Sequence, residues 1–228
     1  MAEPVSAHEP YYGSAESFVP QSDNLRMVGR VAAGCTACHL CLTGTQTVFG
    51  EGPSDARVMM ICEQPGDKED LAGKPFVGPA GKLLDGILHE AGIDRKEIYV
   101  TNAVKHFKWE ASVSGKRIHG KPNRKEVLSC KPWLDKEIEL IRPDVIVLLG
   151  ATAAQALLGS SFRLTQHRGE FVVAPHAAYV IATIHPSALL RMRTSEEREQ
   201  AKVELVRDLK LAAEVLKTLP KRPQAKLL

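Results

Sequence analysis

Three observations predict an α/β fold with a three-layer α/β/α architecture around a central, mostly parallel four-stranded sheet. Four short segments are almost wholly apolar, helical patterns fall between them, and the first segment runs through a Pro-Gly turn straight into a helix. The first strand, residues 57–61 after Ala56, is apolar on both faces, as a strand inside a parallel sheet is. Next comes Cys62-Glu63-Gln64-Pro65-Gly66-Asp67-Lys68-Glu69-Asp70, then Phe76 and Gly78-Pro79-Ala80-Gly81. A helix over residues 82–91 follows, with Leu83, Leu84, Ile87, Leu88 and Ala91 at helical spacing. A strand–turn–helix unit puts its turn at the carboxyl edge of the sheet, where open α/β sheets hold their ligands.

The second strand spans residues 98–103. Residues 105–124 then form a connection far longer than the usual ~4–6 residues. Ser112, Ser114, Gly115, Gly120 and Pro122 mark it as a true loop, overhanging the same edge as Glu63. A helix over 125–141, a strand over 144–149 and a helix over 151–158 continue the alternation. Residues 169–173 suggest an added edge strand, 178–184 the last central strand, and 196–216 a long charged amphipathic helix. Residues 1–21 are expected to be a disordered tail, 22–218 a single domain, and 219–228 a basic tail.

Composition narrows the function classes. With 44% hydrophobic and 25% charged residues the chain is an ordinary globular protein. It has no apolar run of the ~18 residues a membrane span needs. The first 21 residues lack the basic start and apolar core of a secretory signal, so a cytoplasmic location is expected. The net charge of +3 favours no partner, but residues 105–125 carry seven Lys/Arg against the single acid Glu110. Interleaved with Phe107 and Trp109, that excess suits a phosphate backbone. Gly78-Pro79-Ala80-Gly81-Lys82 fails as a phosphate loop, because Leu83 stands where Ser or Thr is required. No G-x-S-x-G elbow is present, which argues against a serine hydrolase.

An odd count of five cysteines argues against a disulfide framework. Cys35, Cys38 and Cys41 form C-x-x-C-x-x-C without the second close pair zinc prefers. An iron–sulfur cluster tolerates a distant ligand, so Cys130 or a histidine would complete one. Cys62, at an apolar strand end, reads as a packed thiol.

Four motifs in order carry a resemblance to a family. They are Glu63 to Asp70, Pro75-Phe76-Val77-Gly78, Thr101-Asn102-Ala103-Val104-Lys105-His106, and His185-Pro186-Ser187-Ala188-Leu189-Leu190-Arg191. With the cysteine pair ahead of them, the chain resembles the iron–sulfur uracil-DNA glycosylases over residues 35–216. Within that group it is most similar to the UdgX type, a relative of family 4 that bonds covalently to uracil-DNA.

The resemblance implies a 4Fe-4S cluster on Cys35, Cys38, His106 and Cys130. Ordinary family 4 members carry cysteine where His106 stands, and Cys41 falls outside the pattern. It implies that Phe76 stacks on a flipped uracil, that Asn102 reads its polar edge, and that His185 hydrogen-bonds O2 as charge builds on the leaving base. Leu189, Leu190 and Arg191 would fill the vacated stack and hold the backbone, with Asp67 and Arg117 completing the substrate-binding set. His119, in Gly115-Lys116-Arg117-Ile118-His119, would attack C1′ of the deoxyribose, with Glu63 on its other nitrogen and Gln64 beside it in the catalytic set. The family loop carries Lys-Arg-Arg-Ile-His there, one basic residue more. The expected partner is uracil-containing DNA, single-stranded first and double-stranded second, bound by a monomer that is nucleoid-associated when on DNA. Two rivals remain: a turnover glycosylase in which water attacks, and an iron–sulfur module that binds uracil or abasic DNA without chemistry.

Overall fold

The computed structural model describes residues 11–220. Along the chain run α1 (Leu25–Ala32), α2 (Leu40–Thr43), β1 (Val58–Cys62), α3 (Asp67–Ala72), α4 (Pro79–Ala91) and β2 (Ile98–Asn102). After them come β3 (Trp109–Ala111), β4 (Arg117–His119), α5 (Arg124–Ile141), β5 (Val145–Leu149), α6 (Ala151–Leu158) and α7 (Leu164–His167). The chain closes with β6 (Phe171–Ala174), β7 (Ala177–Thr183), α8 (Pro186–Leu190) and α9 (Ser195–Thr218).

The main sheet has five strands, not four, in the order β2-β1-β5-β7-β6. The first four are parallel, and β6 pairs antiparallel with β7 as the edge strand that residues 169–173 suggested. This edge strand alternates exposed and half-buried positions, and Val173 is fully exposed. Strands β1 and β5 are buried on both faces throughout, which is why their sequences do not alternate. On one side Val58, Met60 and Cys62 pack with Leu84, Ile87 and Leu88 of α4 and with Leu205 and Leu209 of α9. On the other, Met59 and Ile61 pack with Leu134 and Ile138 of α5 and with Ala153 and Leu157 of α6. Those two cores are the joints of the three-layer architecture.

The region expected to be a loop contains a second, two-stranded sheet. Strands β3 and β4 pair antiparallel with Trp109 opposite His119 and Ala111 opposite Arg117. A turn closed by Gly115 N–H to Ser112 O (2.9 Å) joins them, and Gly115 sits at φ +77°. Three-residue strands are too short for a periodic signal.

The expected tail is also revised where it is described. Tyr12 bridges to Cys38 and Ala15 is fully buried, in a third core built from Val28, Cys35, Cys38, Cys130 and Trp133. Residues 1–10 and 221–228 lie outside the described part, so most of the basic tail does too.

Candidate active site

At the carboxyl edge of the sheet a cavity of about 570 Å³ opens between the ends of β1, β2, β5 and β7. Glu63 and Gln64 follow β1, Asn102 ends β2 opposite Cys62, Gly150 follows β5, and His185 follows β7. Seven of the residues singled out in the sequence line this one space: Glu63, Gln64, Phe76, Asn102, His119, His185 and Arg191.

His185 is the N-cap of α8. Its Nδ1 accepts from Ser187 N–H (3.1 Å) and from Ser187 Oγ (2.8 Å). The ring proton is therefore on Nε2, which is left as a donor. Burial first, then the charges of Arg191 and His119, push its pKa down from 6.5 to about 4. At neutral pH the residue is a fixed neutral donor. Arg191 Nη1 donates to Ser187 Oγ (3.1 Å) and steadies the same turn.

Asn102 is buried, and a paired network holds its backbone from behind. Lys105 Nζ donates to Asn102 O (2.7 Å), to Thr101 Oγ1 (2.7 Å) and to Glu137 Oε2 (2.5 Å). Glu137 also accepts from Tyr99 OH (2.9 Å) and from Gly50 N–H (3.0 Å). Lys105 is thus a buried structural cation and not part of a phosphate-facing stretch.

Phe76 places its ring 5.8 Å from that of His185, tilted by 35°. Its backbone is left-handed, at φ +59°, a conformation that costs a bulky residue about 1–3 kcal/mol and clusters at ligand sites. Gly81 makes room for it: a Cβ there would lie 1.8 Å from Phe76 O.

Glu63 is held at both oxygens. Oε2 accepts from Thr152 Oγ1, and Oε1 is 3.4 Å from His119 Nε2. Gln64 clamps the base of the β3–β4 hairpin. Its Oε1 accepts from Lys108 N–H (3.1 Å), and its Nε2 donates to Lys108 O (3.2 Å) and Gly120 O (3.0 Å). The same amide nitrogen is 2.9 Å from His119 Nε2, so one ring nitrogen meets both Glu63 and Gln64. Thr152, at the second position of α6, was not singled out in the sequence. Its only signal there is a small polar residue just past the Gly150 that ends a strand.

Other expected residues lie elsewhere. Arg117 pairs with Asp67 (2.6 Å) and Asp70 (2.6 Å), and its guanidinium lies 5.4 Å and 5.5 Å over the rings of Phe107 and Trp109. Neither Arg117 nor Asp67 lines the cavity. Together they pin the hairpin to α3. Leu189 is fully buried in the core, whereas Leu190 stands 46% exposed beside the cavity rim on α8. Lys108 pairs with Glu126 (3.0 Å), which also faces His39 (3.3 Å). Of the basic stretch, Lys116, Lys121, Arg124 and Lys125 stay exposed.

Cys35, Cys38 and Cys130 are buried in one core, with no disulfide among them. Burial foremost pushes Cys38 up to about 11, and the neighbouring Cys35 adds to it. Burial likewise raises Cys130 to about 12, against the opposing effect of Lys105. Three thiols gathered in one buried core are a donor set of the kind an iron–sulfur cluster takes. His106 is buried and its Nε2 is bonded to Thr47 Oγ1 (3.0 Å). Among the described residues no set of three or more His, Cys, Asp or Glu is arranged to chelate a single metal ion. Cys41 is only half-buried, with its N–H on Cys38 O (3.2 Å) and its Sγ 3.2 Å from Tyr11 OH.

The comparisons with known proteins agree on one family. The model of the "Uracil DNA glycosylase superfamily" matches residues 49–210. A type-4 uracil-DNA glycosylase of Thermotoga maritima is 41% identical over 175 residues, covering 76% of this chain and 87% of that one. The type-4 enzyme of Saccharolobus solfataricus is 35% identical over 176 residues, covering 74% and 78%. That of Archaeoglobus fulgidus is 35% identical over 185 residues, covering 78% and 89%.

Proposed function

Because the chain belongs to the uracil DNA glycosylase superfamily and is a uracil-DNA glycosylase, we propose that it removes uracil from DNA and then keeps the abasic product, bonded through His119. The observation that carries this reading is His119 Nε2, 3.4 Å from the Glu63 carboxylate at the mouth of the cavity that holds His185 and Asn102. A flipped uracil stacks on Phe76, and the Asn102 amide pairs donor and acceptor with its edge, which rejects cytosine. As the C1′–N1 bond breaks, the electron pair leaves with the uracil. The His185 Nε2–H donates to O2 of that anion, a preorganised contact typically worth ~3–4 kcal/mol. The imidazole nitrogen that Glu63 does not hold adds its lone pair to C1′. The proton on the nitrogen facing Glu63 passes to the carboxylate, which Thr152 keeps in place. An imidazole at C1′ leaves far less readily than uracil, so the linkage persists. The substrate is uracil-containing DNA, with single strands the first choice.

Cys35, Cys38 and Cys130 supply thiolates for a 4Fe-4S cluster, with His106 as the fourth ligand on the strength of the sequence resemblance alone. When bound, the cluster supplies a structural cross-link between the N-terminal segment and α5.

One observation favours turnover instead. The Gln64 amide 2.9 Å from His119 Nε2 competes with Glu63 for that nitrogen, and a ring held this way lets water attack. A labelled uracil oligonucleotide, boiled in SDS with the protein and run on a denaturing gel, separates the two. The expected result is a retarded band, absent with thymine and absent in His119→Ser, while that variant still releases uracil. Alkali-cleavable product without a retarded band means turnover. A binding module without chemistry is set aside, since the chain belongs with glycosylases.

A further inference from the structure

We infer that Glu69 is a positioning residue that sets the strained stacking ring of Phe76, and so decides how tightly the pocket holds a flipped base. The inference rests on the glycosylase reading above, in which Phe76 stacks on uracil. Glu69 is the third residue of α3 and lines the cavity. In the sequence it passes for one more acid in a solvated turn.

The carboxylate is lodged between two chain turns. Oε1 accepts from Gly78 N–H (2.8 Å), at the N-cap of α4. Oε2 lies against Gly66, the N-cap of α3. Both neighbours are glycines, and a Cβ would come within 2.9 Å of Oε1 at Gly78 and within 2.6 Å of Oε2 at Gly66. Two residues before Gly78, Phe76 holds its left-handed backbone, and Gly81 is the only residue type that fits under its carbonyl. A strained conformer persists only where its surroundings over-determine it. Gly81 supplies the space from one side, and Glu69 supplies the tether from the other. Without the tether, the segment from Phe76 to Gly78 is free to relax to an ordinary φ, and the ring leaves its place beside His185.

The test uses the full chain and two oligonucleotide probes. One carries 2′-fluoro-deoxyuridine, whose electron-poor sugar resists cleavage; the other carries a tetrahydrofuran abasic analogue. Glu69→Ala is expected to weaken binding of the uracil probe by roughly tenfold, the scale of one lost base–aromatic stack, and to leave the abasic probe unchanged. Glu69→Gln, which keeps an acceptor oxygen, is expected to bind both probes as wild type does. Phe76→Ala should lose as much as Glu69→Ala, and the double variant should lose little more, because both remove one interaction. Wild-type uracil binding by Glu69→Ala overturns the inference. So does an equal loss on both probes, which is a general loss of structure. If Phe76→Ala itself binds the uracil probe normally, the stacking reading fails and takes the inference with it, a result distinct from a failure of Glu69 alone.

Discussion

At the scale of single residues, the proposed reaction demands that His185 be neutral and point one N–H at a forming anion. Ser187 fixes the tautomer and burial fixes the charge. That arrangement has a cost in stability that pH exposes. The folded chain titrates this histidine near 4 and the unfolded chain near 6.5, so between those values the unfolded state binds more protons. Stability therefore rises with pH across that window, is unaffected by this group above it, and is lower by about 3 kcal/mol below it. Wild type should lose about that much more unfolding free energy than His185→Asn when denaturant melts at pH 7 and pH 4 are compared. The same variant should release uracil on the order of 10²–10³-fold more slowly. Glu63, Asn102 and His185 come together because each sits at or just past a strand end, where strand ends converge at one edge, whereas Phe76 reaches the cavity from the connection between α3 and α4. Asp67, Arg117 and Leu189 do not line the cavity, and the sequence could not show this for a common reason. Their partners lie tens of residues away or in the packed core, and no local pattern reports a pairing across the chain.

The hairpin of β3 and β4 is the element on which the proposed chemistry turns. It is tied down by Arg117 to α3, by Gln64 to both of its ends, and by Trp109 Nε1 to Thr43 O (2.8 Å). These contacts, and not the main sheet, decide where His119 sits. Arg117→Ala should leave uracil release near wild type and slow adduct formation by up to ~10²-fold, since a misplacement of about 1 Å costs that much. Single-turnover assays that score free uracil and SDS-stable adduct separately will check it; equal slowing of both would show that the hairpin also shapes the base pocket. The sequence marked this stretch as long, basic and turn-rich, and all three hold. It could not reveal a sheet of three-residue strands, nor that Lys105, Lys108 and Arg117 spend their charge on Glu137, Glu126 and the α3 acids.

For the molecule as a whole, the three-layer α/β architecture followed from four doubly buried or nearly buried strands and the helices between them. The parts that escaped were those with the least periodicity: the two-stranded hairpin of β3 and β4, and the N-terminal segment folded over the cysteines. Of the exposed cations, Lys121 and Arg191 line the cavity, and Lys116, Arg124 and Lys125 stay exposed elsewhere along the same stretch of chain. If about three phosphates of a single strand meet these cations, a fourfold rise in salt should weaken non-covalent binding by roughly tenfold or more. Filter binding of a His119→Ser variant at two salt concentrations measures this, and a flat response would mean that the exposed cations do not meet the backbone. The buried thiols make a second prediction at this scale. Protein purified without oxygen should be brown and should lose melting temperature when its iron is chelated. Colourless protein holding stoichiometric zinc would refute the cluster.

The side chain proposed to capture DNA rides on a two-stranded appendage outside the five-stranded sheet, inserted between β2 and α5. On the proposed reading, recognition and capture are written in different parts of the chain. A lineage can acquire or discard such an insert, or exchange one residue within it, while the pocket that selects the base stays as it was. Whether a protein of this design surveys many lesions or is consumed by one is then a property of its graft, and its capacity in the second case is set by how many copies are made.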